Sequence, residues 1–147
     1  MKNKLVLVVE DNPDHLELTV LTLKEQGVNA EIAVALDGAQ ALDFLFGQGI
    51  HIGRDTHKQP DFILLDMKLP KLSGLDVLRS LRANPLTALI PVVMLTSSSE
   101  QSDIATCYRS GANSFIRKPV DFEEFTKKLS CLQAFWLSTN ESPPPPP

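Results

Sequence analysis

Cysteine is scarce in this 147-residue chain, which contains only Cys107 and Cys131. The two lie far apart and outside any paired spacing, so the sequence indicates neither a disulfide framework nor a thiolate metal site. Both fall in predicted helices, where we expect them to be small apolar residues of a reduced, cytoplasmic protein.

Long apolar runs are also missing. No stretch approaches the roughly 18 consecutive apolar residues that a membrane-spanning helix needs. The apolar run at residues 5–9 ends in two acids, and it is too short for a signal peptide but typical of a strand. We therefore expect no contact with a membrane.

The chain has no excess of positive charge. Its 14 Lys and Arg residues are scattered among 18 Asp and Glu residues, which gives a net charge of −4 and argues against a nucleic-acid interface. The composition, with 43% hydrophobic and 22% charged residues, is that of an ordinary globular domain, which we place at residues 1–138. Residues 139–147 are rich in proline and lack core-forming residues, so we expect a disordered tail.

Short apolar runs alternate with helical patterns along the domain. The apolar runs predict five strands, at residues 5–9, 31–35, 62–65, 90–95 and 113–117. The patterns between and after them predict five helices, at residues 13–27, 37–49, 74–83, 99–110 and 122–136. Such alternation favours a parallel sheet with helices on both faces. We therefore expect an α/β fold with a doubly wound five-stranded parallel sheet, whose ligand site lies at the carboxyl ends of the strands.

Polar residues directly follow four of the predicted strands. They are three carboxylates, one hydroxyl and one ammonium, namely Glu10 and Asp11 after the first strand, Asp66 after the third, Thr96 after the fourth and Lys118 after the fifth. Each alone is ordinary, because strands end in solvated loops. In a parallel sheet, however, all five residues reach the same edge, so we expect them to share one crevice.

The chemistry of this set predicts a magnesium site that handles phosphate. Three clustered carboxylates repel one another and raise each other's pKa unless a cation joins them. Oxygen ligands suit a hard ion such as Mg²⁺, and a lysine and a threonine beside the ion suit phosphoryl oxygens. A carboxylate can itself act as the nucleophile and form an aspartyl phosphate.

Four motifs resemble those of the receiver domains of two-component response regulators. They are LVVEDN at residues 7–12, ILLDMKLPKLSG at 63–74, PVVMLTS at 91–97 and GANSFIRKP at 111–119. Their order and spacing agree with that family over roughly residues 4–132. The resemblance implies a flavodoxin-like receiver fold. It also implies a phosphoacceptor signalling protein, rather than an enzyme, that assists its own phosphotransfer and autodephosphorylation.

The resemblance assigns roles to the acidic residues. Asp66 matches the phosphoacceptor of the family and also a ligand of Mg²⁺. Asp11 matches a direct ligand of the ion, and Glu10 matches a residue that binds it largely through water. The backbone carbonyl of Lys68 would supply a further ligand.

The resemblance also implies a switch. Thr96 and Lys118 match residues that hold phosphoryl oxygens, and Thr96 and Phe115 match a pair that moves after phosphorylation. Many relatives have tyrosine at the position of Phe115. Phenylalanine has no hydroxyl, so here only the packing of the ring can respond to phosphorylation. The alternative is that Phe115 is only a core residue. The fourth helix, the fifth strand and the fifth helix would then present a changed surface.

Two segments resemble the small single-domain regulators that are paired with bacterial phytochrome histidine kinases. One is the long polar connection at residues 47–60, and the other is LQAFWL at residues 132–137. This implies a sensor histidine kinase of the phytochrome type as the partner. After Leu137 the chain has no recognition helix and no basic patch, so we expect a stand-alone regulator that signals through a protein partner, oligomerisation or onward phosphotransfer.

Phe135 and Trp136 are adjacent large aromatic residues near the end of the last predicted helix. Both are difficult to bury in one small domain, so we predict that they form a homodimer contact. The alternative is that both rings pack back onto the surface of their own domain.

Two functions of other classes stay open at this point. A Mg²⁺-dependent phosphatase that works through an aspartyl phosphate usually needs an acid two residues after the nucleophile, where this chain has Lys68. A receiver-like binding module that never accepts phosphate would have no need of Asp66, Thr96 and Lys118 together.

Overall fold

A parallel sheet lies at the centre of the computed structural model, which describes residues 4–25, 30–97, 100–118 and 121–146. The order of its five strands is β2–β1–β3–β4–β5. The strands are β1 Lys4–Val9, β2 Ala30–Ala35, β3 Phe62–Asp66, β4 Val92–Thr96 and β5 Ser114–Arg117. The direction of winding reverses between β1 and β3, and a crevice opens at such a point at the carboxyl ends of the strands.

Five helices connect the strands and follow the last one. They are α1 Pro13–Glu25, α2 Gly38–Phe46, α3 Gly74–Arg82, α4 Gln101–Arg109 and α5 Phe122–Ala134, and a π-helical segment, Phe135–Thr139, continues α5. The predicted doubly wound α/β fold is therefore confirmed. Within the described ranges no helix is both long enough and apolar enough to cross a membrane.

Several element boundaries differ from the predicted ones. α2 ends at Phe46 rather than at residue 49, because Gly47 adopts a left-handed conformation with φ of 65° and caps the helix. β3 runs through Asp66, which still pairs with Leu95 of β4. Asp66 is therefore held by the sheet rather than by the following loop. The predicted end of α1 at Gly27 and the predicted start of α4 at Ser99 lie outside the described residues.

The core has two layers because alternate side chains of a strand point to opposite faces of the sheet. The α3-side layer includes Leu45 of α2, Leu78 of α3 and Cys107 of α4. The α5-side layer includes Leu23 of α1 and Leu129 of α5. All five residues of β3 are buried, as the apolar run in the sequence predicts for a central strand.

Arg82, at the end of α3, ties together the loops that precede β4 and β5. Its guanidinium donates to the carbonyl oxygens of Gly111 at 2.9 Å, Ala88 at 3.0 Å and Ile90 at 2.9 Å, and to Oδ1 of Asn113 at 2.9 Å. Gly111 has a φ of 107°, and a Cβ there would lie 2.8 Å from Cγ of Arg82. The arginine therefore sets the positions of both strands from their amino ends.

The long connection at residues 47–60 is organised around Arg54. Its guanidinium lies 4.1 Å from the centroid of the Phe44 ring. It donates to the carbonyl of Phe44 and, at 2.7 Å, to that of Lys58. A cation above an aromatic face with these hydrogen bonds fixes the fold of the connection, although Ile50 and Ile52 remain exposed.

The proline-rich tail has neither helix nor strand in residues 140–146. The hydroxyl of Ser142 donates to Oδ1 of Asp61 at 3.2 Å, and Oδ2 of Asp61 accepts the backbone N–H of Leu5 at 2.9 Å. The tail thus contacts the amino end of the sheet in this structure. Its disorder in solution stays a prediction.

We predict that Arg82→Lys lowers the free energy of unfolding by about 2 kcal/mol, because one ammonium cannot replace the donors that three carbonyls receive from a guanidinium. Urea unfolding measures the change. Arg79→Lys, on the same helix and exposed, is the matched control and should change stability by less than about 0.5 kcal/mol. Equal small effects of both substitutions would contradict the bracing role of Arg82.

Candidate functional site

Three carboxylates meet at the carboxyl ends of β1 and β3. Oxygen atoms of Glu10, Asp11 and Asp66 all lie within 4.8 Å of one another. Glu10 and Asp66 are buried, whereas Asp11 is exposed to solvent. The predicted acidic cluster therefore exists, with two members held inside the crevice and one at its mouth.

Lys118 bridges the two buried acids. Its Nζ donates to Oδ2 of Asp66 at 2.9 Å and to Oε1 of Glu10. The exposed fractions of the three side chains are 9% for Lys118, 4% for Glu10 and 10% for Asp66. The backbone N–H of Lys118 donates to the carbonyl of Thr96 at 2.7 Å. This hydrogen bond to the end of β4 fixes the backbone position of Lys118. One ammonium thus compensates part of the charge of three acids.

The loop after β3 fits closely around Asp66. The backbone N–H of Lys68 donates to Oδ1 of Asp66 at 3.1 Å, which orients the carboxylate. Gly74 opens α3 so near the strand that a Cβ there would lie 2.2 Å from the carbonyl oxygen of Asp66. Ser73 and Asp76 form a capping box at this helix start. Residues 72–74 therefore bring the chain back against the site, and the carboxylate of Asp66 keeps its position.

The loop after β1 serves both the site and a helix. Oε2 of Glu10 accepts the backbone N–H of Asn12 at 3.3 Å. Oδ1 of Asn12 accepts the backbone N–H groups of Asp14 at 3.0 Å and His15 at 3.1 Å, and so caps the start of α1. The first turn of α1 is thereby anchored beside Glu10.

The electrostatics of the buried pair follow from this packing. Burial raises the pKa of Glu10 from 4.5 to about 7; Lys118 opposes the shift and the neighbouring Asp66 adds to it. Burial alone would lower the pKa of Lys118, but its hydrogen bonds to Glu10 and Asp66 outweigh that effect and raise it. Lys118 therefore stays charged, and Glu10 gains a proton near neutral pH when no metal is bound.

A cleft of about 560 Å³ opens above these residues. Six of the predicted site residues line it, namely Glu10, Asp11, Asp66, Lys68, Thr96 and Lys118. The structure thus brings the predicted chemical groups together, while their individual roles stay predictions. Phe115 is not in this lining; it is half-buried against the α3-side layer, opposite Met94 of β4.

His15 and Phe122 also line the cleft, and sequence reasoning missed both. No local signal points to His15, which reads as an ordinary residue of the first turn of α1. Phe122 is 63% exposed at the start of α5, and the helical spacing of residues 122–136 predicts only a helix there.

Phe135 and Trp136 differ in their surroundings. Their rings meet edge to face with centroids 4.9 Å apart. Trp136 is only 9% exposed and belongs to the α5-side layer, whereas Phe135 is 46% exposed. One ring of the pair is thus buried and the other partly exposed, and the predicted homodimer contact stays a prediction. The tryptophan packs within its own chain, so only Phe135 presents an exposed ring for a contact with another copy.

The comparison with known protein families agrees with this geometry. The family described as the response regulator receiver domain matches residues 6–130. The chain belongs to this family.

Relatives match over nearly the whole chain. FilR2, a probable methanogenesis regulatory protein of Methanothrix harundinacea, is 34% identical over 141 residues, which cover 96% of this chain and 88% of FilR2. The response regulator Rcp1 of a Synechocystis species is 33% identical over 136 residues, which cover 92% of this chain and 90% of Rcp1.

Solved structures of response regulators share the receiver fold of this chain. The phosphorylated cyanobacterial phytochrome response regulator RcpA has a TM-score of 0.90 at 32% identity, covering 97% of this chain and 99% of RcpA. The Mn²⁺-bound form of Rcp1 has a TM-score of 0.88 at 33% identity, covering 95% and 99%. The predicted membership of a two-component signalling family, with phytochrome regulators among its structural neighbours, is thus confirmed.

We predict that Lys118→Met lowers the free energy of unfolding at pH 8, without metal, by about 3 kcal/mol, because two buried carboxylates lose their shared cation. The loss should be smaller at pH 6. Because the pKa of Glu10 is raised in the folded state, this carboxyl group destabilises that state as the pH rises towards about 7. Below that pH Glu10 is protonated, so less negative charge depends on the Lys118 ammonium.

Urea unfolding at the two pH values measures both effects. Lys58→Met is the control, because Lys58 is 53% exposed and pairs with Glu31 at 3.6 Å on the surface; we expect a change below about 1 kcal/mol there. A loss for Lys118→Met that is equally large at both pH values would contradict the link to Glu10.

Proposed function

We propose that this protein is a response regulator that accepts a phosphoryl group on Asp66 in a Mg²⁺-dependent reaction with a sensor histidine kinase. The observation that supports it most directly is the contact of Lys118 with both Asp66 and Glu10, beside the exposed Asp11. A nucleophilic carboxylate, a cation and two further acids in one cleft are the parts that phosphoryl transfer to an aspartate requires.

The donor set fits a magnesium ion. Three carboxylates face one ammonium, which leaves negative charge uncompensated in a largely buried cleft. Glu10, Asp11 and Asp66 offer only oxygen atoms, the ligands that Mg²⁺ prefers, and the exposed position of Asp11 leaves room for water. The Lys68 carbonyl would be a further ligand. When bound, the ion would neutralise charge on the transferring group.

Asp66, Lys118 and Thr96 would then have separate roles in the transfer of the phosphoryl group. An oxygen of Asp66 would form a bond to phosphorus as the bond between phosphorus and the histidine nitrogen of the kinase breaks. Lys118, already within hydrogen-bonding distance of that carboxylate, would turn one N–H to a phosphoryl oxygen, and Thr96 would donate to another. The product is an acyl phosphate, so we expect slow self-hydrolysis.

The proposed signal passes through β4 and β5. Thr96 ends β4, and Phe115 pairs with Met94 of the same strand. A movement of Thr96 towards the phosphoryl group would change the space next to β5, and the half-buried ring of Phe115 would turn inward. The surface formed by α4, β5 and α5 would carry that change to a partner.

The proposed kinase partner is of the phytochrome type. The support is the likeness to the phytochrome response regulator RcpA and to Rcp1 over nearly their full lengths. We further propose that the protein acts in the cytoplasm and passes its signal or its phosphoryl group to another protein.

A Mg²⁺-dependent phosphatase is the rival function. It would need an acid two residues after Asp66 to protonate its leaving group, and a lysine stands there, with its backbone N–H bonded to Asp66. No carboxylate other than Glu10, Asp11 and Asp66 joins the acidic cluster within the described residues. The regulator therefore fits the site better.

We predict that wild-type protein incubated with Mg²⁺ and a small acyl phosphate gains the mass of one phosphoryl group. Asp66→Asn has nearly the same size but cannot form an acyl phosphate, so it should gain nothing. A chelator should prevent the gain in the wild type. Intact mass spectrometry measures all three. No gain under any condition would favour a binding module, and repeated release of phosphate from a separate substrate would favour the phosphatase.

We further propose a homodimer in which Phe135 and the face of β5 meet a second copy. β5 is an edge strand, and a groove beside it is lined by Phe115, Ile116, Leu132 and Phe135. An exposed aromatic ring next to an apolar groove and an unpaired strand edge is suited to a self-complementary contact.

Size-exclusion chromatography with light scattering tests the dimer. Wild-type protein at micromolar concentration should have twice the chain mass of 16.2 kDa, and Phe135→Ser should shift it to the monomer mass. Leu89→Ser is the control, because Leu89 is 67% exposed and is not among the residues that line this groove. An unchanged mass for Phe135→Ser would exclude this contact.

A further inference from the structure

His15 lies beside the bridging lysine. Its Nδ1 is 3.3 Å from Nζ of Lys118 and 3.8 Å from Oε1 of Glu10. The side chain is 49% exposed, at the mouth of the cleft rather than in its floor. Its backbone is fixed, because Asn12 caps its N–H and its carbonyl accepts the Thr19 hydroxyl at 2.7 Å.

The chemistry of the lysine determines what the histidine does. An ammonium has three N–H donors and no acceptor. Two donors go to Asp66 and Glu10, which leaves the third for Nδ1 of His15, 3.3 Å away, and a nitrogen can receive it only through its lone pair. Nδ1 of His15 must therefore be the acceptor, with the ring proton on Nε2.

We infer that His15 is a positioning residue for Lys118 in phosphoryl transfer. This inference rests on the proposed function, because it assigns His15 a part in the same reaction. With three acceptors around it, the ammonium has a single defined position above Asp66 rather than a choice among rotamers. Positioning of this kind lowers the reorganisation that transfer requires.

The contribution of His15 grows as the reaction proceeds. When an oxygen of Asp66 bonds to phosphorus, the carboxylate loses its negative charge, and Lys118 loses one of its two anionic partners. His15 is a partner that this step does not remove, so it keeps the ammonium directed at the phosphoryl oxygens.

Two variants of matched shape isolate the acceptor. In His15→Asn, Oδ1 stands on the same carbon as Nδ1 and can accept the N–H of Lys118. In His15→Leu, a methyl group takes that place. Both are surface substitutions in the first turn of α1, so their melting temperatures should stay close to that of the wild type. His57→Leu, in the exposed connection before β3, is the control.

The maximal phosphorylation rate at saturating Mg²⁺ should fall about three- to tenfold in His15→Leu, the size expected for the loss of one hydrogen bond. His15→Asn should retain most of the wild-type rate, and the concentration of Mg²⁺ for half-maximal rate should be unchanged in both. A rate for His15→Leu equal to that of the wild type would overturn the inference. So would an equal loss in His15→Asn, or a faster reaction caused by opening the cleft.

A second measurement does not depend on phosphorylation. The NMR signals of the Lys118 εCH₂ and Nζ groups should move in His15→Leu, remain near their wild-type positions in His15→Asn and be unaffected by His57→Leu. If the Lys118 signals did not move in His15→Leu, the inference would be overturned even if all variants were phosphorylated. If they moved but wild-type protein took no phosphoryl group, the proposed function would fail while the His15–Lys118 contact stood.

Discussion

The ammonium of Lys118 is the interaction on which the site depends. Asp66 ends β3 and Glu10 directly follows the adjacent parallel strand β1, and their side chains are too well buried for water to screen their repulsion. The lysine that compensates them comes from the far side of β4, so the carboxyl ends of β1, β3 and β5 must be correctly placed together. The fold is therefore a precondition of the charge balance, and errors in strand order or register would leave buried carboxylates without a cation.

The three acids differ in ways that suit different tasks. Glu10 is buried and accepts from Lys118 and from the backbone of Asn12, so its position is fixed before any ligand arrives. Asp66 is held by the ladder with β4 and by the N–H of Lys68. Asp11 is exposed and can adapt to an incoming ion. The two fixed carboxylates place the nucleophile accurately, and the exposed third carboxylate allows the metal ion to exchange easily.

The sequence predicted the features that depend on local pattern. The apolar run before Asp66 and the alternation of strands with helices were sufficient for the sheet and for the edge at which Glu10, Asp11, Asp66, Thr96 and Lys118 meet. Features that depend on packing between distant segments were not predictable in this way. Trp136 could not be assigned to the core before the path of α5 was known. His15 looked like an ordinary helix residue, because nothing local shows that Lys118, 103 residues further along the chain, ends beside it.

Asp61 has a consequence for how the molecule could be re-engineered. One of its oxygens accepts the backbone N–H of Leu5 and the other accepts the hydroxyl of Ser142. The first strand and the tail therefore meet at the amino end of the sheet, opposite the end that carries Asp66. Joining these two segments with a short linker would need little rearrangement, and new ends could be opened in the surface connection near Gly53, where an added Cβ would have nothing within 4 Å. A circularly permuted chain of this kind would keep every strand that carries a residue of the site.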